Sequence, residues 1–175
     1  MKSTFLLFVM AVGVFFGGFA PEAKAQPGPD LVEVAIAVNS GGAFAGQFDT
    51  LIAAVLAADP VVLDTLSGRG QFTVFAPTDD AFAALGLTPA NVGTTYSRET
   101  LTQILLYHVV RGRRDAGDVT TSDRIRSLQG TFFFPNSSAT ITDALGREAN
   151  IIVTDVPASN GIIHAIDAVI LPFAP

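Results

Sequence analysis

QFTVFAPTDDAFAAL, at residues 71–85, predicts a strand, a corner and the start of a helix within one short stretch. Phe72, Val74 and Phe75 favour a strand, and apolar side chains on both of its faces are typical of a strand covered on both sides. Pro77 has no N–H to donate to a neighbouring strand, so we expect the strand to end there. The segment therefore predicts a strand buried inside a sheet.

The residues after the corner have the composition of a helix start. Thr78 is a favourable N-cap, and Asp79 and Asp80 would place negative charge on the first turn, where the helix dipole stabilises it. Phe82 and Leu85 lie three residues apart and would return the helix to the core. We interpret the Thr-Asp-Asp cluster as a helix cap, with a carboxylate site as the alternative. Adjacent residues of a helix do not face each other, so the two carboxylates are not placed to share a proton.

This stretch resembles the first signature of the fasciclin domain family. Four further segments agree in order and spacing: LLYHVV at 105–110, ASNGIIHAIDAVILP at 158–172, DLVEVAIAV at 30–38 and FDTLIAAVLAADPVVLDTLSG at 48–68. The resemblance implies an α+β fold, a compact wedge of β-sandwich-like sheets with helices packed on one side. Its structural motif falls on nine residues: Phe75, Pro77, Thr78, Asp79, Phe82, Asn160, Gly161, His164 and Asp167.

The N-terminus has the composition of a secretory signal peptide. Lys2 precedes an apolar run at 5–20, and Ala23-Lys24-Ala25 stands before Gln26. The run is short for a membrane span, which needs about 20 apolar residues, but an uncleaved anchor is the alternative. We expect cleavage after Ala25, a secreted or periplasmic protein and no integral membrane anchor after cleavage.

The predicted organisation is a signal peptide at 1–25, a linker at 26–29 and one domain at 30–175. The chain has no cysteine, so neither disulfides nor a lipid-anchored lipoprotein is expected. The formal net charge of −6 becomes −7 when a leader with two lysines and one glutamate is removed. Such an acidic chain is a poor candidate for binding nucleic acid or an anionic membrane.

Helical patterns come early in the chain and strand patterns late, which favours an α+β fold over an alternating α/β fold. Helical spacing at 48–56 predicts a buried face that holds five residues: Phe48, Leu51, Ile52, Val55 and Leu56. The last strand is predicted at 162–171. Three consecutive aromatics at 132–134 predict a strand buried on both faces, with an exposed apolar docking patch as the alternative.

His164 is the first candidate for chemistry. On the last strand it shares a face with Ile162 and Ile166, whereas Asp167 points the other way. A lone histidine on an apolar face is typically neutral and hydrogen-bonded. A zinc site would require His108, the other histidine of the chain, and carboxylates at a suitable spacing. No such spacing is present, so we predict no metal and no cofactor.

Tyr107 and His108 are the second candidate. In the fasciclin family this segment has been associated with adhesion through receptors, which makes both residues candidates for an interaction site. Alternatively they form a core latch, in which Tyr107 buries its ring and bonds its hydroxyl while His108 is a satisfied interior polar group. A buried latch cannot contact a partner without local opening.

Arg111, Arg113 and Arg114 are the third candidate. Three arginines within four residues could bind sulfate, carboxylate or an anionic polysaccharide in a bidentate manner. The alternative is a solvated loop whose charges offset Asp115 and Asp118. The run contains no Arg-Gly-Asp triplet.

Signatures of enzymes are absent from the sequence: it has no GxSxG, no HExxH, no phosphate-binding glycine loop and no cysteine nucleophile. We predict no catalytic residues. The resemblance implies an adhesion or matrix-interaction module that binds protein, extracellular polysaccharide or a second copy of itself. The alternative is a carrier of an apolar small molecule, such as a lipid or a pigment, in a cleft between helices and sheet.

Overall fold

The computed structural model describes residues 28–174, so the predicted signal peptide and the first half of the linker lie outside the described residues. The helices of this range are α1 (Leu31–Ser40), α2 (Asp49–Ala57), α3 (Pro60–Ser67), α4 (Asp79–Ala83), α5 (Val92–Thr95), α6 (Arg98–Tyr107) and α7 (Ala116–Thr120). Its strands are β1 (Phe72–Pro77), β2 (Val109–Arg111), β3 (Ile125–Arg126), β4 (Phe132–Pro135), β5 (Thr140–Thr142), β6 (Glu148–Ala158) and β7 (Gly161–Ile166).

All described strands belong to one sheet in the order β2-β1-β7-β6-β5-β4-β3. β1 pairs with β7 in parallel, and the other neighbours are antiparallel. The sheet curls until its edges meet, where Val110 of β2 forms an antiparallel bridge with Ser127, just after β3. The α+β prediction is confirmed, and the strands form one sheet that is nearly a barrel.

β1 divides the core in two because its side chains alternate between the faces of the sheet. Phe72 and Ala76 belong to the cluster beneath the helices. Phe75 belongs to the cluster inside the curled sheet, with Tyr107 and Phe133. The predicted coverage of this strand on both faces is therefore observed.

Helices begin at the capping residues that the sequence offers, except that Asp79 and not Thr78 makes a capping hydrogen bond at the corner after β1. Thr78 occupies the N-cap of α4, but its side chain makes no capping hydrogen bond. Asp79 Oδ1 instead accepts from Thr50 N at 2.8 Å and thereby caps α2, whose own N-cap residue Phe48 has no capping side chain. Asp79 N also donates to Gln47 O at 2.7 Å. The corner after β1 is therefore hydrogen-bonded both to the first turn of α2 and to the segment just before it.

The predicted buried face of α2 is correct in part. Phe48, just before the helix, and Leu51 are buried as predicted, and Ile52 and Val55 are half-buried. Leu56, however, is 70% exposed, and the other buried residues of α2 are Thr50 and Ala54. The small side chains of Thr50 and Ala54 let α2 approach α5 and α6 closely, which turns Leu56 outward.

The last strand ends at Ile166 and not at Leu171 as predicted. Asp167 N still donates to Asn150 O of β6 at 3.1 Å, but two N–H groups further on are bound by side chains instead of a neighbouring strand. Ile170 N donates to His108 Nε2 at 3.2 Å, and Leu171 N donates to Asp143 Oδ2 at 2.9 Å. This segment is therefore buried and apolar, as a strand would be, without being one.

The prediction that all three phenylalanines of β4 are buried is also wrong. Phe133 is 0% exposed and packs edge-on against Phe75 and Tyr107. Phe134 is 47% exposed, and Phe132 lies half-buried under the guanidinium of Arg124 at 4.8 Å. Only one face of β4 contacts the interior of the sheet, so alternation leaves the outer two rings towards solvent.

Candidate functional site

His108 ends α6 and lies between the helical layer and the segment that follows β7. Nδ1 donates to Ile104 O at 2.8 Å, and Nε2 accepts from Ile170 N at 3.2 Å. An imidazole that donates with one nitrogen and accepts with the other is neutral. Burial lowers the pKa of His108 from 6.5 to about 4. Both nitrogens are thus committed to the fold.

His164 is held in the same way on the other side of the barrel. Nδ1 accepts from Asp155 N at 3.2 Å, Nε2 donates to Arg114 O at 2.9 Å, and the ring stacks on Phe75 with centroids 5.4 Å apart. Asp155 has a φ of 62°, at an irregularity in β6. His164 therefore fixes a left-handed residue of β6 and the loop after β2 at once.

Tyr107 connects α6 to two points of the sheet. Its hydroxyl donates to Phe132 O at 2.9 Å and accepts from Ala144 N at 3.1 Å. Burial raises the pKa of Tyr107 to about 12. Tyr107 and His108 are 0% and 2% exposed, so neither can contact a partner in this conformation. We therefore exclude both from the candidate interaction surface.

Asp143 is a buried carboxylate that the sequence analysis does not single out. It accepts from the backbone N–H groups of Leu145, Arg147 and Leu171, and its Oδ2 receives the Arg147 guanidinium at 2.6 Å. Burial alone would raise the pKa of Asp143, but these hydrogen bonds outweigh it and lower the pKa below its ordinary value. The turn at Ala144-Leu145-Gly146 is a signal for such an Asx-type cap, although nothing local indicates the bond to Leu171.

The three arginines do not converge on one site. Arg113 Nη1 donates to Ala158 O at 3.2 Å and Gly161 O at 2.8 Å, so it clamps the β6–β7 turn. Arg114 contributes its backbone to Thr73 and His164, and Arg111 is exposed on β2. No carboxylate of residues 28–174 lies within 4.0 Å of these guanidinium groups.

Asn160 and Gly161 join three elements at the β6–β7 turn. The Asn160 side chain accepts from Leu31 N at 2.9 Å and donates to Leu66 O at 2.7 Å and Gly68 O at 3.1 Å. A Cβ on Gly161 would lie 2.1 Å from Phe72 O, so only glycine fits there.

The remaining motif residues also have structural positions. Pro77 ends β1, and Phe82 of α4 is 3% exposed. Asp167 is exposed and accepts from both Asn150 N at 2.7 Å and Asn150 Nδ2 at 2.8 Å. The motif thus holds the corners of the fold rather than a reactive centre.

A cavity of about 160 Å³ lies between α1, α2, α3 and β1. Among the described residues that line it, His108 is the only one with a polar side chain, and both of its nitrogens are bonded as above. Aliphatic residues form the outer wall: Val32, Ile36, Ile52, Val55, Leu56 and Leu63. The cavity therefore offers contact area but no hydrogen-bonding group.

Two further features bear on the site. Within residues 28–174, histidine, aspartate and glutamate side chains form no group of three or more that could hold a metal ion. None of the described helices is by itself long and apolar enough to cross a bilayer; α2 and α3 together have the length and composition but are bent by 117°.

Comparison with known proteins identifies the fold. The family model of the fasciclin domain matches residues 46–172. Protein sll1483 of Synechocystis is 44% identical over 129 residues, which cover 71% of this chain and 67% of that protein. The transforming growth factor-beta-induced protein ig-h3 of Sus scrofa is 33% identical over 72% of this chain and 18% of its own length.

A solved structure is similar in fold. A FAS1 domain pair from the insect cell adhesion molecule fasciclin I superimposes with a TM-score of 0.56 at 23% identity, over 71% of this chain and 45% of that one. The strand order, the motif residues in their structural positions and the match over most of the described chain lead to one conclusion. This chain belongs to the fasciclin domain family.

Proposed function

We propose that this protein is an exported, non-catalytic adhesion or matrix-interaction module. One observation carries the proposal: the buried polar side chains of both histidines, Tyr107 and Asn160 bind the protein's own backbone. We therefore expect the protein to bind its partners through its solvent-exposed surface. The structural similarity to a domain pair of an insect cell adhesion molecule supports this use of the fold.

We propose that its partners are a protein, an extracellular polysaccharide or a second copy of the chain, and that the protein is secreted or periplasmic. Arg111 is exposed on an edge strand and is the member of the arginine run best placed to contact an anionic group. N-terminal sequencing of the exported protein tests the location, since cleavage after Ala25 gives a chain that begins at Gln26.

Attachment of the source cells tests the function. Deleting the gene should reduce attachment to protein-coated or polysaccharide-coated surfaces, and the wild-type gene should restore it. A second complementing gene without codons 2–25 is the matched control, because it supplies the same domain without the predicted signal peptide. Unchanged attachment on every surface would contradict the proposal.

The cavity favours a second candidate, the carrier of an apolar small molecule. It lies between helices and sheet, where that hypothesis places a ligand, and its lining is apolar. Its volume of about 160 Å³ is below the roughly 300–1,000 Å³ of sites for drug-sized ligands, so a lipid or pigment would require the helices to open. Mass spectrometry of the purified protein tests this candidate, and a ligand-free protein would argue against it.

A further inference from the structure

We propose that the face formed by α1, α2 and α3 is the docking site for a basic, amphipathic protein segment, one of whose apolar side chains enters the cavity. We name this surface the three-helix face: the exposed side chains of Ile36 and Leu56, which form part of the cavity wall, the exposed side chain of Val61 on α3, and the cavity itself. This inference rests on the proposed function, since it assigns the surface through which an interaction module would bind.

Exposed apolar side chains are the first argument. Six large apolar residues of the described chain are strongly exposed, and three of them lie on the three-helix face: Ile36 at 46%, Leu56 at 70% and Val61 at 48%. The other three, Phe134, Leu145 and Ile152, lie on β4, the turn after β5 and β6. The three-helix face has a cavity lined by its own exposed residues, since Ile36 and Leu56 form part of the cavity wall.

The size of the cavity is the second argument. An engineered cavity of about 150 Å³ lined by aliphatic residues stays dry and binds a single benzene ring. A cavity of about 160 Å³ therefore suits one leucine-sized or phenylalanine-sized side chain, not a whole lipid. Its wall offers no free polar group, so the entering group must be apolar throughout. Binding centres on such anchors when they fill a desolvated pocket.

Charge is the third argument, and it indicates which residues should flank the apolar anchor of the partner. Residues 30–68 contain five acidic residues and no lysine or arginine: Asp30, Glu33, Asp49, Asp59 and Asp64. Glu33 follows Val32 of the cavity wall, Asp64 follows Leu63, and Asp59 separates α2 from α3. Glu33, Asp59 and Asp64 are exposed. A partner with lysine or arginine beside its apolar anchor would be complementary to these exposed carboxylates of α1, α3 and the connection between α2 and α3.

Fluorescence anisotropy with a labelled synthetic peptide tests the proposal. The probe is a short leucine–lysine peptide with the apolar spacing of an amphipathic helix; its comparison peptides replace lysine by glutamate or permute the same residues so that the apolar face is lost. We expect the leucine–lysine peptide to bind with an affinity that falls as salt rises. Leu56→Gln and Ile36→Gln should each weaken binding at least about tenfold, as loss of an anchoring contact does.

Ile152→Gln is the matched control, because Ile152 is 47% exposed against 46% for Ile36 and lies on β6, outside the lining of the cavity. It should leave binding unchanged. Leu56 is mostly solvent-exposed, so Leu56→Gln should fold even if Ile36→Gln does not, and circular dichroism checks both. Equal binding by wild type and Leu56→Gln would overturn the proposal. So would equal binding of the glutamate peptide, or displacement of the probe by a fatty acid at stoichiometric amounts, which would indicate the small-molecule carrier.

The attachment assay separates this inference from the proposed function. If the gene encoding Leu56→Gln restores attachment as fully as wild type does, the three-helix face is not the docking site but the adhesive function stands. If the wild-type gene itself does not change attachment, the adhesive function fails, and the peptide measurements decide the docking site independently.

Discussion

At the scale of single residues, Gly161 shows how a motif position can be fixed by sterics alone. Its Cα lies beside β1 in the parallel β1–β7 pairing, opposite Phe72. A Cβ there would lie 2.1 Å from Phe72 O and 3.0 Å from Leu31 Cδ1. Backbone oxygen cannot move aside as a flexible side chain can, so the strand pair itself would have to separate.

We therefore expect Gly161→Ala to lower the free energy of unfolding by about 3 kcal/mol, the upper end of the usual cost of overpacking in a core. Gly41→Ala is the matched control, because its added Cβ meets nothing within 4 Å and its φ of −169° is ordinary extended backbone. It should stay within about 0.5 kcal/mol of wild type. Urea unfolding of the two variants measures the difference, and similar midpoints would refute the steric explanation.

His108 makes the stability of the protein depend on pH at the same scale. Its folded pKa of about 4 lies below the ordinary 6.5, so the unfolded chain binds the proton more readily. The stability from neutral His108 is complete above about pH 6.5 and is lost as the pH falls towards 4, by about 3 kcal/mol in total. Asp143 and Arg147 are the charged groups that influence this pKa, with opposite signs.

Unfolding free energies measured between pH 7 and pH 4 check this prediction, with His108→Gln as the comparison. The variant will be less stable at neutral pH, so the slopes are compared and not the levels. Its stability should fall less steeply over this window than that of wild type. Asp143, whose pKa is lowered, loses its stabilising effect only as the pH falls through that lowered value, and so contributes at the acid end. Equal slopes would show that His108 does not titrate with unfolding.

At the scale of elements, the sequence predicted best where the signals were local. β1 and the start of α4 follow from strand formers, a proline at the end of the strand and acidic residues in the first helical turn, all of which act within a few residues. The errors came from tertiary contacts. The orientation of α2 depends on helices that it meets after folding, and the end of β7 depends on a distant carboxylate, Asp143, that binds Leu171 N. Hydropathy alone does not reveal either partner.

Asp79 is the clearest case of a local prediction that the tertiary structure altered, and it can be tested. Its carboxylate caps α2 through Thr50 N, so Asp79→Ala should remove a cap and cost about 1 kcal/mol. Asp80→Ala is the matched control: it removes the same charge from the same turn, but Asp80 is exposed and has no hydrogen bond of this kind. Thermal unfolding should separate the two variants; an equal loss would attribute the effect to the dipole of α4 instead.

At the scale of the whole molecule, the two hydrophobic clusters are built on the same two strands, β1 and β7. The cluster beneath the helices and the cluster inside the curled sheet both pack against β1 and β7, which pair across nearly ninety residues of sequence, Phe72 with Gly161. Unfolding of either cluster would disrupt β1 and β7 and so remove part of the other cluster as well. The layers should therefore unfold together, although they differ in secondary structure.

The two tyrosines of the chain allow this cooperativity to be measured, because the chain has no tryptophan. Tyr96 packs on the helical cluster and Tyr107 lies inside the sheet, so Tyr96→Phe leaves Tyr107 as the one aromatic hydroxyl that reports on the interior. Far-ultraviolet circular dichroism follows the helices in the same sample. We expect the two signals to give one midpoint in urea, as a two-state domain does. An earlier loss of helical signal, with Tyr107 still buried, would mean that α1, α2 and α3 open as a unit, and the cavity would then admit ligands larger than its closed volume allows.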